Sequence, residues 1–297
     1  MIDNICNDYI STRNNNKTAL KLFLSSVIDS VIIAIALLSL AIISCFHQLS
    51  GTIIAFRSEL RIDPDVKFFL LDYIQRTRMF IMKIGILGSG DVGRRLADGF
   101  IELGHTVKIG SRDPNQGKIT EWIAKHNEGK ASSGTFAETA SFGELDVLAT
   151  LWAGAADAIK MADPKNLAEK VVIDVTNPLD FPKGMPPRLA IGHTDSAGET
   201  VQRMLPDSKV IKAFNIVGNV HMIHPDFPGG PPTMFICGND EDAKKTLTDN
   251  ILTKFGWETI DIGGIEGARL LEPLAFLWIM HYFRTGNGNH AFKLLRK

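Results

Sequence analysis

Residues 82–93 read Met-Lys-Ile-Gly-Ile-Leu-Gly-Ser-Gly-Asp-Val-Gly. A short apolar run, Ile84 to Leu87, ends in glycines at 88, 90 and 93, and Val92, Leu96 and Phe100 then recur four apart up to Gly104. Period-four apolar residues after a buried run describe strand, tight turn and helix. The G-x-G-x-x-G sits across the turn, where each glycine has a role in dinucleotide binding. Gly88 permits the turn, Gly90 lets backbone approach a pyrophosphate, and Gly93 lets the helix pack on the strand. Free N–H groups at the helix start face the phosphates, so Gly88, Ser89, Gly90, Asp91, Val92 and Gly93 are the expected phosphate loop.

Downstream of this loop the strand–helix alternation is regular. Strands are expected over 106–109, 134–136, 146–152 and 171–175, with helices near 115–126 and from 155, and a short helical turn at 142–145. A looser, proline-rich segment covers 179–189. A helix over 196–205, strands at 209–215, 233–237 and 258–262, a helix over 241–255 and an apolar helix over 267–283 complete the chain. Repeated βα units imply an α/β fold: a Rossmann-type, doubly wound, mostly parallel sheet with a small C-terminal α/β-helical part. The expected division is an NADP-binding core at 82–180 and an acceptor-binding part at 181–297.

The second strand ends in Gly110-Ser111-Arg112. NAD enzymes usually place a carboxylate here for the ribose 2′-OH. A hydroxyl and a guanidinium instead suit a 2′-phosphate, so Ser111 and Arg112 predict NADP(H). Asp113, one residue on, is expected to cap the next helix, with Pro114 at its first position.

Residues 1–81 differ in character. From Val31 to Phe56 there is no charged residue, and about 20 apolar residues cross a bilayer as a helix. One transmembrane helix within 24–56 is expected, followed by a linker at 57–81. It would make the protein a single-pass membrane anchor with a cytoplasmic catalytic domain, where NADPH is available. Arg13, Lys17 and Lys21 before the run and Arg57 and Arg61 after it leave the orientation open. A second reading also stands: Met82 opens the core strand as a start codon would, so residues 1–81 are upstream sequence from an over-extended gene model.

A net charge of −1 gives no basic excess for nucleic acid. Cys6, Cys45 and Cys237 have neither zinc-site nor disulfide spacing. His221 and His224 lie in a Gly/Pro-rich loop with no evident third ligand, so no metal site is expected. His193 and Asp195 admit a proton relay, but a helix-capping Asp beside an exposed His is the simpler reading. Asp174 reads as a structural buried carboxylate, and Trp122, Trp257 and Trp278 as core or interface residues. No catalytic constellation emerges.

With Gly88–Gly93 and Gly110–Arg112 placed, residues 82–297 resemble the NADP-dependent coenzyme F420 oxidoreductase family. Trp152 after the fourth strand, Ser196-Ala-Gly-Glu199, Val210-Ile-Lys-Ala-Phe-Asn215, Leu271-Glu-Pro-Leu274 and Gly286-Asn-Gly288 agree with it. The reductase domain of membrane metalloreductases looks similar, but several helices follow it there. The resemblance implies hydride transfer between NADPH and a deazaflavin (F420) or a flavin-like acceptor, chemistry that the cofactors carry while the protein stacks two rings. In such folds ligands lie at the C-terminal strand ends, so the nicotinamide is expected at Leu151-Trp152 and Thr176-Asn177-Pro178. The second ring is expected at Ala213-Phe214-Asn215 and the loop after it, and at the C-terminal helix. Family members that use F420 tend to have a histidine in this last loop, where this chain has Phe214-Asn215. An NADPH-dependent reductase of a small imine or ketone and a non-catalytic NADPH sensor remain as alternatives. The apolar C-terminal helix suggests a homodimer.

Overall fold

The computed structural model describes residues 81–126, 129–182 and 184–297. The expected transmembrane helix and linker lie outside these residues. Among the described residues no helix is long and apolar enough to cross a membrane.

Among the described residues ten strands and seven α-helices follow one another. Their order is β1 (Lys83–Leu87), α1 (Asp91–Glu102), β2 (Thr106–Gly110), α2 (Gly117–Ala124), β3 (Ala131–Gly134), α3 (Phe136–Phe142), β4 (Leu145–Leu148), α4 (Trp152–Ala162) and β5 (Val171–Asp174). Then come β6 (Leu179–Asp180), β7 (Arg188–Leu189), α5 (Ala197–Met204), β8 (Lys209–Lys212), β9 (Thr233–Gly238), α6 (Glu241–Leu247), β10 (Glu258–Asp261) and α7 (Ala268–Thr285). Eight strands form one sheet in the order β10-β9-β8-β5-β4-β1-β2-β3, and β6 pairs with β7 apart from it. From β3 through β8 all neighbours are parallel, as the alternating βα units require. The β8–β9 pair is antiparallel, with Lys212 opposite Cys237, so β9 and β10 extend the sheet in the reverse sense.

The chain leaves β1 towards β2 and β3, then returns to the other side of β1 to lay down β4 and β5. This reversal opens a crevice at the strands' C-terminal ends, between β1 and β4. The core explains the stability of that frame. Ile84, Ile86 and Leu87 of β1, with Val147 and Leu148 of β4, are fully buried, as expected of parallel strands covered on both faces. Leu96 and Phe100 of α1 are fully buried against them, each contributing roughly 1.5–3 kcal/mol.

Several elements differ from the sequence expectation. β3 ends at Gly134, and Phe136 opens α3 instead of closing a strand. The cause is local: the Thr135 hydroxyl accepts from the Glu138 N–H, and the Glu138 carboxylate accepts from the Thr135 N–H at 2.7 Å, a complete capping box. Asp113 does not cap α2. Its Oδ1 accepts from the Asn115 N–H at 3.1 Å, closing a turn, and the helix begins after Gln116. The proline-rich segment holds the short β6–β7 ladder.

Asp146 of β4 is fully buried, and neither carboxylate oxygen has a hydrogen-bond partner. Burial pushes its pKa up to about 8, with the Lys170 ammonium 4.0 Å away pulling only weakly the other way. Between the unfolded value of 3.8 and that folded value, the folded chain keeps a proton that the unfolded chain releases. Stability therefore falls as pH rises through this window. Asp146→Asn, a neutral isostere, is expected to melt several degrees above wild type near pH 8 and to converge with it near pH 4. Melting curves that differ by the same amount at both pH values would contradict this account.

Candidate functional site

The phosphate loop is shaped by two close approaches. Gly88 has φ of +132°, and a Cβ there would strike the Ala149 carbonyl at the end of β4. At Gly93 a Cβ would strike the Gly88 carbonyl, so α1 lies directly on the turn. Gly90, by contrast, faces open space: nothing lies within 4 Å of its Cβ position. No side chain caps α1, so its first-turn N–H groups are free to receive an anion. Asp91 would repel that anion, but its carboxylate is paired with Arg94, whose guanidinium also donates to the Ser89 carbonyl. Beside the loop, the Thr150 hydroxyl is buried without a partner. An open cradle over Gly90, an uncapped helix and an orphaned hydroxyl fit a dinucleotide pyrophosphate.

Ser111 and Arg112 follow β2 at the same end of the sheet. Ser111 is buried and Arg112 exposed. Arg112 makes no hydrogen bond or ion pair with any described residue, which leaves its guanidinium for a ligand phosphate. The side chain of Gln116 joins this loop to the glycine turn. Its Nε2 donates to the Ser111 Oγ at 2.7 Å and to the Ser89 Oγ at 3.0 Å. Sequence reasoning missed Gln116, because nothing about an isolated glutamine announces such a bridge.

At the far end of the crevice stand Leu151, Trp152, Thr176, Asn177 and Pro178. Leu151 is 80% exposed at the N-terminus of α4, which Trp152 opens. Thr176 is buried, and both its N–H and hydroxyl donate to Asp174 Oδ1, at 2.9 and 2.7 Å. Asn177 donates to the Asn215 carbonyl at 2.8 Å and accepts from the Asn215 amide at 3.1 Å. The expected second-ring residues are placed differently. Ala213 and Phe214 are fully buried, with Phe214 packed on Phe255. The strand β9 pairs with β8 beside them, and both side chains point into the core. Asn215 is the one of the three that reaches the Asn177 turn.

Beneath that turn lies a buried ionic triad. The Lys212 Nζ donates to Asp174 Oδ2 at 2.8 Å, to the Thr176 carbonyl at 2.7 Å, and contacts Glu272 Oε1 at 3.0 Å. All three side chains are at most 1% exposed. Burial disfavours the ammonium, but Asp174 and Glu272 outweigh it and hold the Lys212 pKa above its ordinary value. Glu272 also accepts from the N–H groups of Ala197 and Gly198, both at 2.9 Å. It therefore ties α7 to the first turn of α5. Burial pushes its pKa up, against the pull of Lys212 and those N–H groups.

A groove of about 710 Å³ runs between the loop after β7 and the first turns of α7. Leu189, Ala190, Ile191, His193, Leu270 and Pro273 line it, together with Arg269 and Glu266. It adjoins the crevice, because the Ala190 N–H donates to the Pro178 carbonyl at 2.7 Å. Arg269 is held by Glu199 in a two-point ion pair. Asp195 is committed to Arg203, at 3.0 and 2.8 Å, and this pair holds its carboxyl below the usual range. Ser196, not Asp195, caps α5. His193, exposed and at φ of +63°, lines the groove without that partner. His221 bonds Asn289 and His224 bonds Glu102. Among the described residues no three His, Cys, Asp or Glu side chains group around a metal position.

Comparison with known proteins agrees with this geometry. The family described as NADP oxidoreductase, coenzyme F420-dependent, matches residues 83–178. The F420-dependent NADP reductase of Methanocaldococcus jannaschii is 32% identical over 220 residues, covering 70% of this chain and 96% of that protein. Metalloreductase STEAP3 of Rattus norvegicus is 30% identical over 193 residues, covering 65% of this chain but only 36% of that longer protein. A solved structure of a candidate F420-dependent NADP reductase from Arthrobacter sp. FB24 superposes with a TM-score of 0.68 at 38% identity, covering 72% of this chain and all of that one. With the glycine cradle and Ser111-Arg112 in place, these similarities establish that the chain belongs to the F420-dependent NADP oxidoreductase family and is an NADP(H)-binding oxidoreductase.

Proposed function

We propose that this chain transfers a hydride between NADPH and a deazaflavin of the F420 type. The observation that carries the reading is the groove of about 710 Å³ joined to the Thr176–Pro178 turn through Ala190. That volume is in the range of small-molecule sites. Its apolar lining residues, Leu189, Ile191, Leu270 and Pro273, suit a flat polycyclic ring, and His193, Glu266 and Arg269 add polar groups.

The bound nicotinamide supplies the hydride, and the residues of this chain bind and orient. Gly88–Gly93 and the α1 N-terminus hold the pyrophosphate. Ser111 and Arg112 take the 2′-phosphate. Leu151, Trp152, Thr176, Asn177 and Pro178 position the nicotinamide, and Asn215 supports that turn from behind. The reaction asks for no strong acid or base from the protein: the acceptor ring gains one hydride and takes its proton from solvent. The alternative acceptor, a small imine or ketone, would need a proton donor at the reacting centre. His193 lines the groove and is the side chain that would serve.

Offering NADPH with F420, FMN, FAD and simple cyclic imines to the full chain separates these readings. The expected result is NADPH oxidation matched mole for mole by F420 reduction, with little loss in a His193→Ala variant. Turnover with imines but not F420, abolished by His193→Ala, would replace the acceptor. Tight NADPH binding without turnover on any of them would make the chain a sensor.

A further inference from the structure

We propose that Gln116 is a positioning residue for NADP(H) specificity: it fixes the Ser89 and Ser111 hydroxyls as hydrogen-bond donors toward phosphate. The proposal rests on the assignment of the 2′-phosphate to Ser111 and Arg112, and concerns a residue that neither the glycine motif nor the Ser-Arg pair contains.

A serine hydroxyl has one proton and two lone pairs, and it rotates to suit its neighbours. Both lone pairs of the Ser111 Oγ are engaged: Gln116 Nε2 donates to it at 2.7 Å and the Asp113 N–H at 3.3 Å. Its proton finds no acceptor among the described residues and is left for a ligand. The Ser89 Oγ also accepts from Gln116 Nε2, at 3.0 Å, so its proton is left to donate to a ligand. Dianionic phosphate oxygens only accept, so hydroxyls held as acceptors by Gln116 are left with the proton such oxygens need. A ribose 2′-OH also donates, and gains less from such a pair.

The position of Gln116 is otherwise unexplained. It precedes the first residue of α2, where Ser, Thr, Asp or Asn would cap the helix. Its side chain makes no cap hydrogen bond. It reaches back across the loop instead, spanning 27 residues of sequence to Ser89.

A donor at 116 preserves the arrangement, and an acceptor reverses it. Gln116→Glu would claim both hydroxyl protons and place a carboxylate beside the phosphate. Its dissociation constant for NADPH is expected to rise roughly 100-fold, against about 10-fold or less for NADH, which shares the pyrophosphate at Ser89 but has no 2′-phosphate at Ser111. Gln116→Met, similar in shape without a donor, is expected to weaken NADPH about 10-fold. Gln116→Lys restores a donor of similar reach and should keep NADPH affinity within about 3-fold of wild type. Binding is read by titration on the full chain, with melting temperatures for each variant.

A merely structural role would weaken NADPH and NADH alike, and would make Lys as harmful as Met. Either result overturns the proposal, as does a Gln116→Glu variant that keeps its preference for NADPH. If Gln116→Glu does not fold, the contrast between Lys and Met decides in the same way. Wild type that binds NADH as tightly as NADPH would refute the 2′-phosphate assignment itself, a failure distinguishable because it precedes any substitution.

Discussion

Replacing Lys212 by methionine is expected to cost roughly 3–5 kcal/mol of folding stability, the largest loss of any single substitution considered for this chain. The ammonium faces two buried carboxylates, Asp174 and Glu272, and the Thr176 carbonyl. Its removal leaves two like charges in the interior with no counter-charge. The triad carries one positive and two negative charges, so the reverse experiment is informative. Asp174→Asn leaves a neutral Lys212–Glu272 pair and is expected to cost clearly less. Urea denaturation followed by circular dichroism measures both. Equal losses, or a Lys212→Met variant within about 1 kcal/mol of wild type, would show that the triad is not the keystone between β5, β8, α5 and α7. Because Lys212 also holds the Thr176 carbonyl, whatever protein folds should show slower hydride transfer with NADPH affinity nearly intact.

Arg112→Glu is expected to raise the dissociation constant for NADPH by at least about 100-fold while leaving NADH within a few-fold of its original value. Two changes add: the guanidinium contact is lost, and a carboxylate now faces the 2′-phosphate. The variant should melt at the wild-type temperature, since Arg112 is exposed and pairs with no described residue. Isothermal titration with both nucleotides separates the outcomes. An unchanged NADPH affinity would move the 2′-phosphate site elsewhere.

Much of this architecture is legible before any coordinates. The glycine turn after a buried apolar run places β1 and α1, and the Ser-Arg pair at the next strand's end names the nucleotide. What escaped has physical causes. β3 is an edge strand of small residues, Ala-Ser-Ser-Gly, with no apolar alternation to betray it. The aromatic Phe136 drew the strand too far forward, although Thr135 and Glu138 spell out the capping box that starts a helix there.

The acceptor side was harder for a different reason. Ala213-Phe214-Asn215 read as ligand-facing because they follow strand β8, at whose C-terminal end ligands of such folds gather. The reversed strand β9 covers it, and two of the three side chains turn inward. The groove proposed for the acceptor is built from a short ladder in a proline-rich stretch and from α7, brought together by contacts that local patterning does not encode. The triad likewise joins residues 174, 212 and 272. None stands out alone; Asp174, expected as a buried carboxylate, is buried, but its partners are not legible in the sequence.

The central claim is direct hydride transfer from the nicotinamide to a deazaflavin stacked against it. The most direct measurement follows the label from NADPH carrying deuterium at the nicotinamide C4, using the full chain and F420, with mass spectrometry of the products. One deuterium appearing on the reduced deazaflavin, from only one of the two C4-labelled epimers, is the predicted result, because a fixed nicotinamide presents a single face. Label lost to solvent, label from both epimers, or no reduction of F420 while NADPH binds tightly would contradict it.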